Sequence, residues 1–202
     1  MSELILTHPT VVTGREDHDF YPTPRWCTLA LLRFGNLNIP RELHALDPAC
    51  GEGAIMDVVR DEYPGANVWG IELHEGRAEA AGERLQVVQG NGLEVDWGAP
   101  DLVIGNPPYT LATEFAWKAA QWAAEHDTVA AMLLRLSFLE PASGRAVLFD
   151  RYPPDVLILP RRPAFDGRGT DSITSAWFCW PGRGQLVWLP PCPSGAPLQA
   201  PE

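Results

Sequence analysis

For about 100 residues, short apolar runs alternate with helix-length segments, and the joints between them carry Gly or Pro. Leu43 to Leu46 reads as a strand and Ala54 to Tyr63 as a helix. Asn67 to Ile71 is again a strand, Gly76 to Leu85 a helix, and Val87 to Val88 a brief strand. Asp101 to Ile104, Leu111 to Glu125 and Thr128 to Leu134 continue as strand, helix and strand. Parallel strands need crossovers of this length, and such crossovers are right-handed, so the pattern predicts a doubly wound α/β sheet. Arg25 to Phe34 forms a further helix, entered through Phe20-Tyr21-Pro22-Thr23-Pro24, where the prolines exclude helix.

Beyond Leu134 the pattern weakens. Pro141 to Phe149 is a weak helix and Asp155 to Leu159 a strand. Ser175 to Trp180 and Leu186 to Leu189 are expected to pair antiparallel across Pro181-Gly182-Arg183-Gly184. With 202 residues and 46% hydrophobic content, one compact domain over residues 20–190 is expected. A leader (1–19) and a poorly ordered tail (191–202) flank it.

No run reaches the roughly 18 to 20 apolar residues of a membrane span, and residues 1–19 lack the order of a signal peptide, so a cytoplasmic protein is expected. Cys27, Cys50, Cys179 and Cys192 form no C-x-x-C pair and no His grouping, so neither a metal site nor a disulfide framework is expected. The net charge of −11 argues against a general nucleic-acid coat, but it is unevenly spread. Residues 1–140 hold nine Lys and Arg against 21 Asp and Glu, whereas residues 141–202 hold six against five. A polyanion would meet the C-terminal third, around Arg145, Arg151, Arg161, Arg162 and Arg168.

In an open parallel sheet, ligands bind beyond the carboxyl ends of the strands. The unusual loops of this chain lie there. Asp47-Pro48-Ala49-Cys50-Gly51-Glu52-Gly53 follows the first strand, and its glycines allow close backbone approach or positive φ. Met56 stands where a dinucleotide fingerprint has its third glycine, which disfavours a nicotinamide or flavin. Glu72 ends the second strand about 20 residues after the glycine turn, at the distance suited to a ribose diol. Asn91 follows the third. Asn106-Pro107-Pro108-Tyr109 follows the fourth, bringing an amide oxygen, a stiffened carbonyl and a flat ring to one point. That combination suits a planar amine.

Asn106-Pro107-Pro108-Tyr109 resembles the catalytic motif of the S-adenosylmethionine-dependent amino-methyltransferases, and Asp47 to Gly53 resembles their first cofactor motif. The resemblance implies a Rossmann-like methyltransferase fold. It implies that S-adenosylmethionine meets Asp47, Ala49, Gly51, Gly53 and Glu72, with Asn91 taking the place of the Asp that touches the adenine. Tyr21, Thr23 and Pro24 are similar to the Tyr-x-Thr-Pro segment that closes over the methionine end of the cofactor. Asn106 and the Pro107 carbonyl would each accept one N–H of the amine, and Tyr109 would stack on the base.

Downstream, Leu133 to Glu140 and Pro160 to Phe178 are similar to segments of small phage-type DNA adenine methyltransferases. That likeness implies N6 methylation of adenine in duplex or single-stranded DNA, with the target base extruded. Arg161, Arg162 and Arg168 would then hold phosphates, and Phe165 would supply a second stacking ring. No separate recognition domain fits within the chain, so specificity is expected to be weak or supplied by a partner or second subunit. Methylation of RNA adenine or protein glutamine, or a noncatalytic binding subunit, are the alternative readings.

Overall fold

The computed structural model describes residues 22–140, 142–165 and 173–191. Helix α1 (Arg25–Phe34) leads into β1 (His44–Asp47), α2 (Ala54–Glu62), β2 (Asn67–Glu72), α3 (Glu75–Gly82) and β3 (Gln86–Gln89). Then come β4 (Leu102–Gly105), α4 (Ala112–His126), β5 (Val129–Arg135), α5 (Ser143–Arg151), β6 (Asp155–Ile158), β7 (Ser175–Trp180) and β8 (Leu186–Trp188). Short 3-10 turns, Tyr109–Leu111 and Leu136–Leu139, follow the ends of β4 and β5.

The eight strands form one sheet in the order β3-β2-β1-β4-β5-β7-β6-β8. The strands β3, β2, β1, β4 and β5 are parallel, and β7 runs antiparallel to both β5 and β6. The doubly wound reading therefore holds, and the boundaries differ from the expected ones by a few residues at most.

Strand alternation sorts the core into two layers. Leu102, Ile104, Ala131, Leu133, Trp177 and Cys179 face α1 and α2, while Val103, Ala130, Met132, Leu134, Phe178 and Trp180 face α4. Buried indoles find acceptors: Trp177 Nε1 donates to the Cys27 carbonyl at 2.9 Å and Trp180 Nε1 to that of Tyr152 at 3.0 Å. Helix α1 docks on α2 through the buried Cys27, Ala30 and Leu31, with Arg25–Asp61 and Arg33–Glu62 pairs at 2.7 Å on the rim. Exposed pairs contribute about 1 kcal/mol or less, so burial fixes α1.

One expected pairing is corrected. β7 and β8 do not pair with each other: β6 lies between them, antiparallel to β7 and parallel to β8. The chain after β7 crosses the start of β6, where Asp155 Oδ1 accepts the Arg183 and Gln185 N–H groups at 2.8 and 3.0 Å. Gly182 is needed at that crossing because a side chain would overlap the Pro154–Asp155 backbone. Every residue of β6 after Asp155 is thereby buried, which a β7–β8 hairpin would not achieve.

Candidate active site

β1 is central, hydrogen-bonded in parallel to β2 and β4, and delivers Asp47 to the carboxyl edge of the sheet. Glycines on both sides make room for this turn. A Cβ on Gly105 would come 2.9 Å from Asp47 Oδ1, and one on Gly70 would overlap the Cys50 thiol. The turn itself needs left-handed backbone at Gly51 (φ 54°) and Gly53 (φ 87°), the latter opening α2.

Asp47 is 1% exposed, and its Oδ1 accepts the Ala49 N–H at 3.0 Å. Burial pushes its carboxyl from the ordinary 3.8 up to about 7; the Ala49 hydrogen bond opposes this and the Glu72 charge adds to it. Glu72 is also buried. Its Oε2 accepts the Gly51 N–H at 2.8 Å and its Oε1 the His74 N–H at 2.9 Å, so the carboxylate braces both loops and keeps a lone pair on each oxygen. No Lys or Arg among the described residues pairs with either acid. A buried acidic pair lacking a cation, set beside a glycine turn, fits the cationic methionine end and ribose diol of S-adenosylmethionine.

Asn91, in the loop after β3, is anchored by its neighbours. Its Oδ1 accepts the Leu93 N–H at 3.0 Å and its Nδ2 donates to Glu94 at 2.9 Å, so the side chain is used within its own loop. Lys118 of α4, which sequence reasoning passed over, props that loop by donating to the carbonyls of Gly92, Leu93 and Val95 at 3.0, 3.1 and 2.8 Å. Trp97 Nε1 adds a fourth bond, to Gly92, at 2.8 Å.

On the acceptor side, β4 carries Asn106 to the same edge. Asn106 Nδ2 donates to the hydroxyl of buried Thr23 at 3.1 Å. This orients the carboxamide with Oδ1 turned away from Thr23, and Oδ1 accepts nothing from the described residues. The Pro107 carbonyl likewise takes no backbone hydrogen bond among them. Two unsatisfied acceptors therefore stand side by side in sequence, followed by the half-buried ring of Tyr109. Thr23 was expected at the cofactor, and its contact in the structure is with Asn106. Pro24 occupies the cap position of α1, its carbonyl accepting the Cys27 N–H at 2.9 Å.

The remaining expected residues separate. Arg161 is exposed, with its guanidinium 4.5 Å from the Trp26 ring centroid, and Arg162 is exposed beside it. Phe165 is 8% exposed and packs in the core cluster of Cys27 and Trp177, so its ring is a core side chain. Tyr21 and Arg168 lie outside the described residues, as do the leader 1–19 and residues 192–202 of the tail. Arg135, to which sequence reasoning gave no individual role, stands at the end of β5 with its guanidinium carbon 3.9 Å from the Tyr109 ring centroid. Its sequence signals are its position at a strand's carboxyl end and its place within the Leu133 to Glu140 segment.

Thr23→Val tests the amide orientation. It removes the acceptor for Asn106 Nδ2, and kcat is expected to fall about tenfold or more. Thr23→Ser, which keeps the hydroxyl, should retain most activity in a steady-state methyl-transfer assay.

No family model matches the chain. Over 91 residues it is 35% identical to the release factor glutamine methyltransferase of Streptomyces coelicolor, covering 41% of this chain and 32% of that protein. The chain thus spans about a third of that curated relative. Among solved structures, the modification subunit of a candidate type I restriction enzyme from Vibrio vulnificus superposes with a TM-score of 0.60 at 16% identity, over 90% of this chain and 49% of that one. A type I restriction-modification methyltransferase subunit from Streptococcus thermophilus gives 0.53 at 17%, over 77% and 42%. A methyltransferase from Pyrococcus furiosus gives 0.50 at 18%, over 77% and 81%. The fold is the Rossmann-like methyltransferase fold. No helix of the described residues is long and apolar enough to cross a membrane.

Proposed function

We propose that this chain transfers a methyl group from S-adenosylmethionine to the N6 amine of adenine in DNA, with residues 20–190 acting as the methyltransferase domain. The reading rests above all on one observation: Asn106 Oδ1 and the adjacent Pro107 carbonyl are acceptors without partners among the described residues, at the end of the strand next to the Asp47 turn. The bound cofactor supplies an electrophilic methyl group on sulfur and leaves as a neutral thioether.

The exocyclic nitrogen of adenine is a poor nucleophile because its lone pair is delocalised into the ring. Two acceptors that take its two N–H groups in tetrahedral directions favour a pyramidal nitrogen and aim the lone pair at the methyl carbon. Tyr109 holds the ring by stacking, worth roughly 1 to 3 kcal/mol per base. As the N–C bond forms the amine becomes acidic, so Asn106 Oδ1 holds one proton and passes it to water without a strong base.

DNA is favoured by the cationic side chains of the C-terminal third and of the β5 end. The modification subunits it superposes on are consistent with this. The chain spans 49% and 42% of those two subunits. The likeness to a glutamine methyltransferase favours a second reading, methylation of a protein glutamine, whose planar amide nitrogen presents the same two N–H groups.

Incubating the protein with labelled S-adenosylmethionine and duplex DNA, single-stranded DNA, RNA or lysate protein separates these. N6-methyladenine in DNA is expected. Label confined to protein glutamine would replace the DNA reading with the second one.

The Asp47 carboxyl gives a pH prediction. A cation bound beside it favours the ionised form, so binding releases a proton at pH values below about 7. Cofactor affinity should rise up to about tenfold per pH unit below that value and level off above it. In the empty protein the sign is opposite for stability: the folded state keeps this proton while the unfolded chain has lost it, so stability falls as pH rises from 3.8 to about 7. Calorimetry in buffers of different ionisation enthalpy checks the proton release, which should vanish in Asp47→Asn.

A further inference from the structure

We propose that Arg135 is a substrate-binding residue that hydrogen-bonds the phosphate joined to the target nucleoside, an inference that rests on the DNA reading above. Arg135 is the last residue of β5, paired in register with Ser175 of β7, at the edge of the sheet where Asn106 ends β4. Its guanidinium carbon lies 3.9 Å from the centroid of Tyr109. One face of that ring is therefore covered by a cation.

Arg135 has no carboxylate partner among the described residues, although residues 1–140 are strongly acidic. Its Nε is buried without a hydrogen-bond partner. A buried guanidinium donor left unsatisfied is costly, and it persists where a ligand satisfies it. Stacking on Tyr109 removes much of the freedom of the side chain, so few rotamers remain to be frozen when that ligand arrives. A second cation packs on the turn that follows: Arg145 of α5 donates to the Ser137 carbonyl at 3.1 Å and lies 5.1 Å from the Phe138 centroid.

Chemistry selects the phosphate: the planar edge of a guanidinium matches two phosphate oxygens, and among the described residues no carboxylate competes for Arg135. The contact reads no sequence. It would hold the extruded nucleotide in register with Asn106, as phosphate contacts do elsewhere.

The test uses the full chain and an oligonucleotide containing the adenine methylated in the assay above, with either flanking phosphate replaced by a neutral methylphosphonate. For the wild-type protein, one of the two replacements is expected to raise KM on the order of ten- to hundredfold. Arg135→Gln should show that raised KM on the ordinary oligonucleotide, lose nothing more on the modified one, and bind S-adenosylmethionine unchanged. Its log–log salt slope should be smaller by roughly 0.7 to 0.9, one phosphate's worth. If the methylphosphonate still weakens Arg135→Gln by the full factor, Arg135 acts only as a prop for Tyr109 and the inference is overturned. A wild-type protein indifferent to both neutral linkages overturns it without reference to any variant. A wild-type protein that methylates no DNA at all refutes the underlying reading instead.

Discussion

Asn106→Ala is expected to lower kcat by about 10²- to 10³-fold or more, with the affinity for S-adenosylmethionine within about twofold of wild type. In the proposed reaction the carboxamide accepts from the amine, and it is itself fixed by its 3.1 Å bond to Thr23. Alanine removes the acceptor that holds one N–H in its pyramidal direction, while Asp47, Glu72 and the Gly51 turn are untouched. Asn106→Asp keeps an oxygen in place and loses the donor to Thr23, whose hydroxyl can reverse and donate instead. Its activity should fall between the two. Single-turnover transfer and equilibrium cofactor binding, measured on the same preparations, check this. Equal loss of transfer and binding in Asn106→Ala would contradict the assigned role.

Gly92→Ala should lower the midpoint of thermal unfolding by about 3 to 10 °C, the range for an overpacking cost of about 1 to 3 kcal/mol in a chain of this size. A methyl group at Gly92 would overlap the Pro48 carbonyl oxygen and press on Phe115 at 3.2 Å. Neither neighbour can yield: Pro48 is locked into the turn after Asp47, and Phe115 is buried in α4. Lys118 and Trp97 hold the Gly92 carbonyl from the other side, so the loop cannot swing away without losing those bonds. The strain falls on the joint between the Asp47 turn and the Asn91 loop, and cofactor affinity should fall with it. Gly76→Ala, in α3 with no atom near the added methyl, is the control and should be neutral or slightly stabilising. Thermal scans and cofactor titrations of the two variants decide the matter.

The pattern of strands and helices was legible because period-2 and period-3.6 burial are written locally. Leu102-Val103-Ile104 and Ala130 to Leu134 alternate between the two core layers as a buried parallel strand must. The motif residues were legible for a related reason: Asp47, Glu72 and Asn106 stand at strand ends, where this topology gathers ligand-binding groups. The C-terminal order was not. β7 and β8 are separated by a loop short enough for a hairpin, and only the insertion of β6 between them, fixed by Asp155, shows otherwise. Phe165 sits in a loop rich in Arg, Gly and Pro, and its burial depends on α1 and Trp177, which are distant in sequence.

By itself, then, the sequence determined the doubly wound sheet and the residue types gathered at its edge, since backbone geometry and residue type act over a few neighbours. The tertiary structure decided what each group touches there. It tied Thr23 to Asn106 across 83 residues, anchored Asn91 within its own loop, buried Asp47 so that its carboxyl is pushed up to about 7, and laid Arg135 over Tyr109. Each of these depends on burial, or on a hydrogen bond or ring contact whose direction is set only when the elements pack.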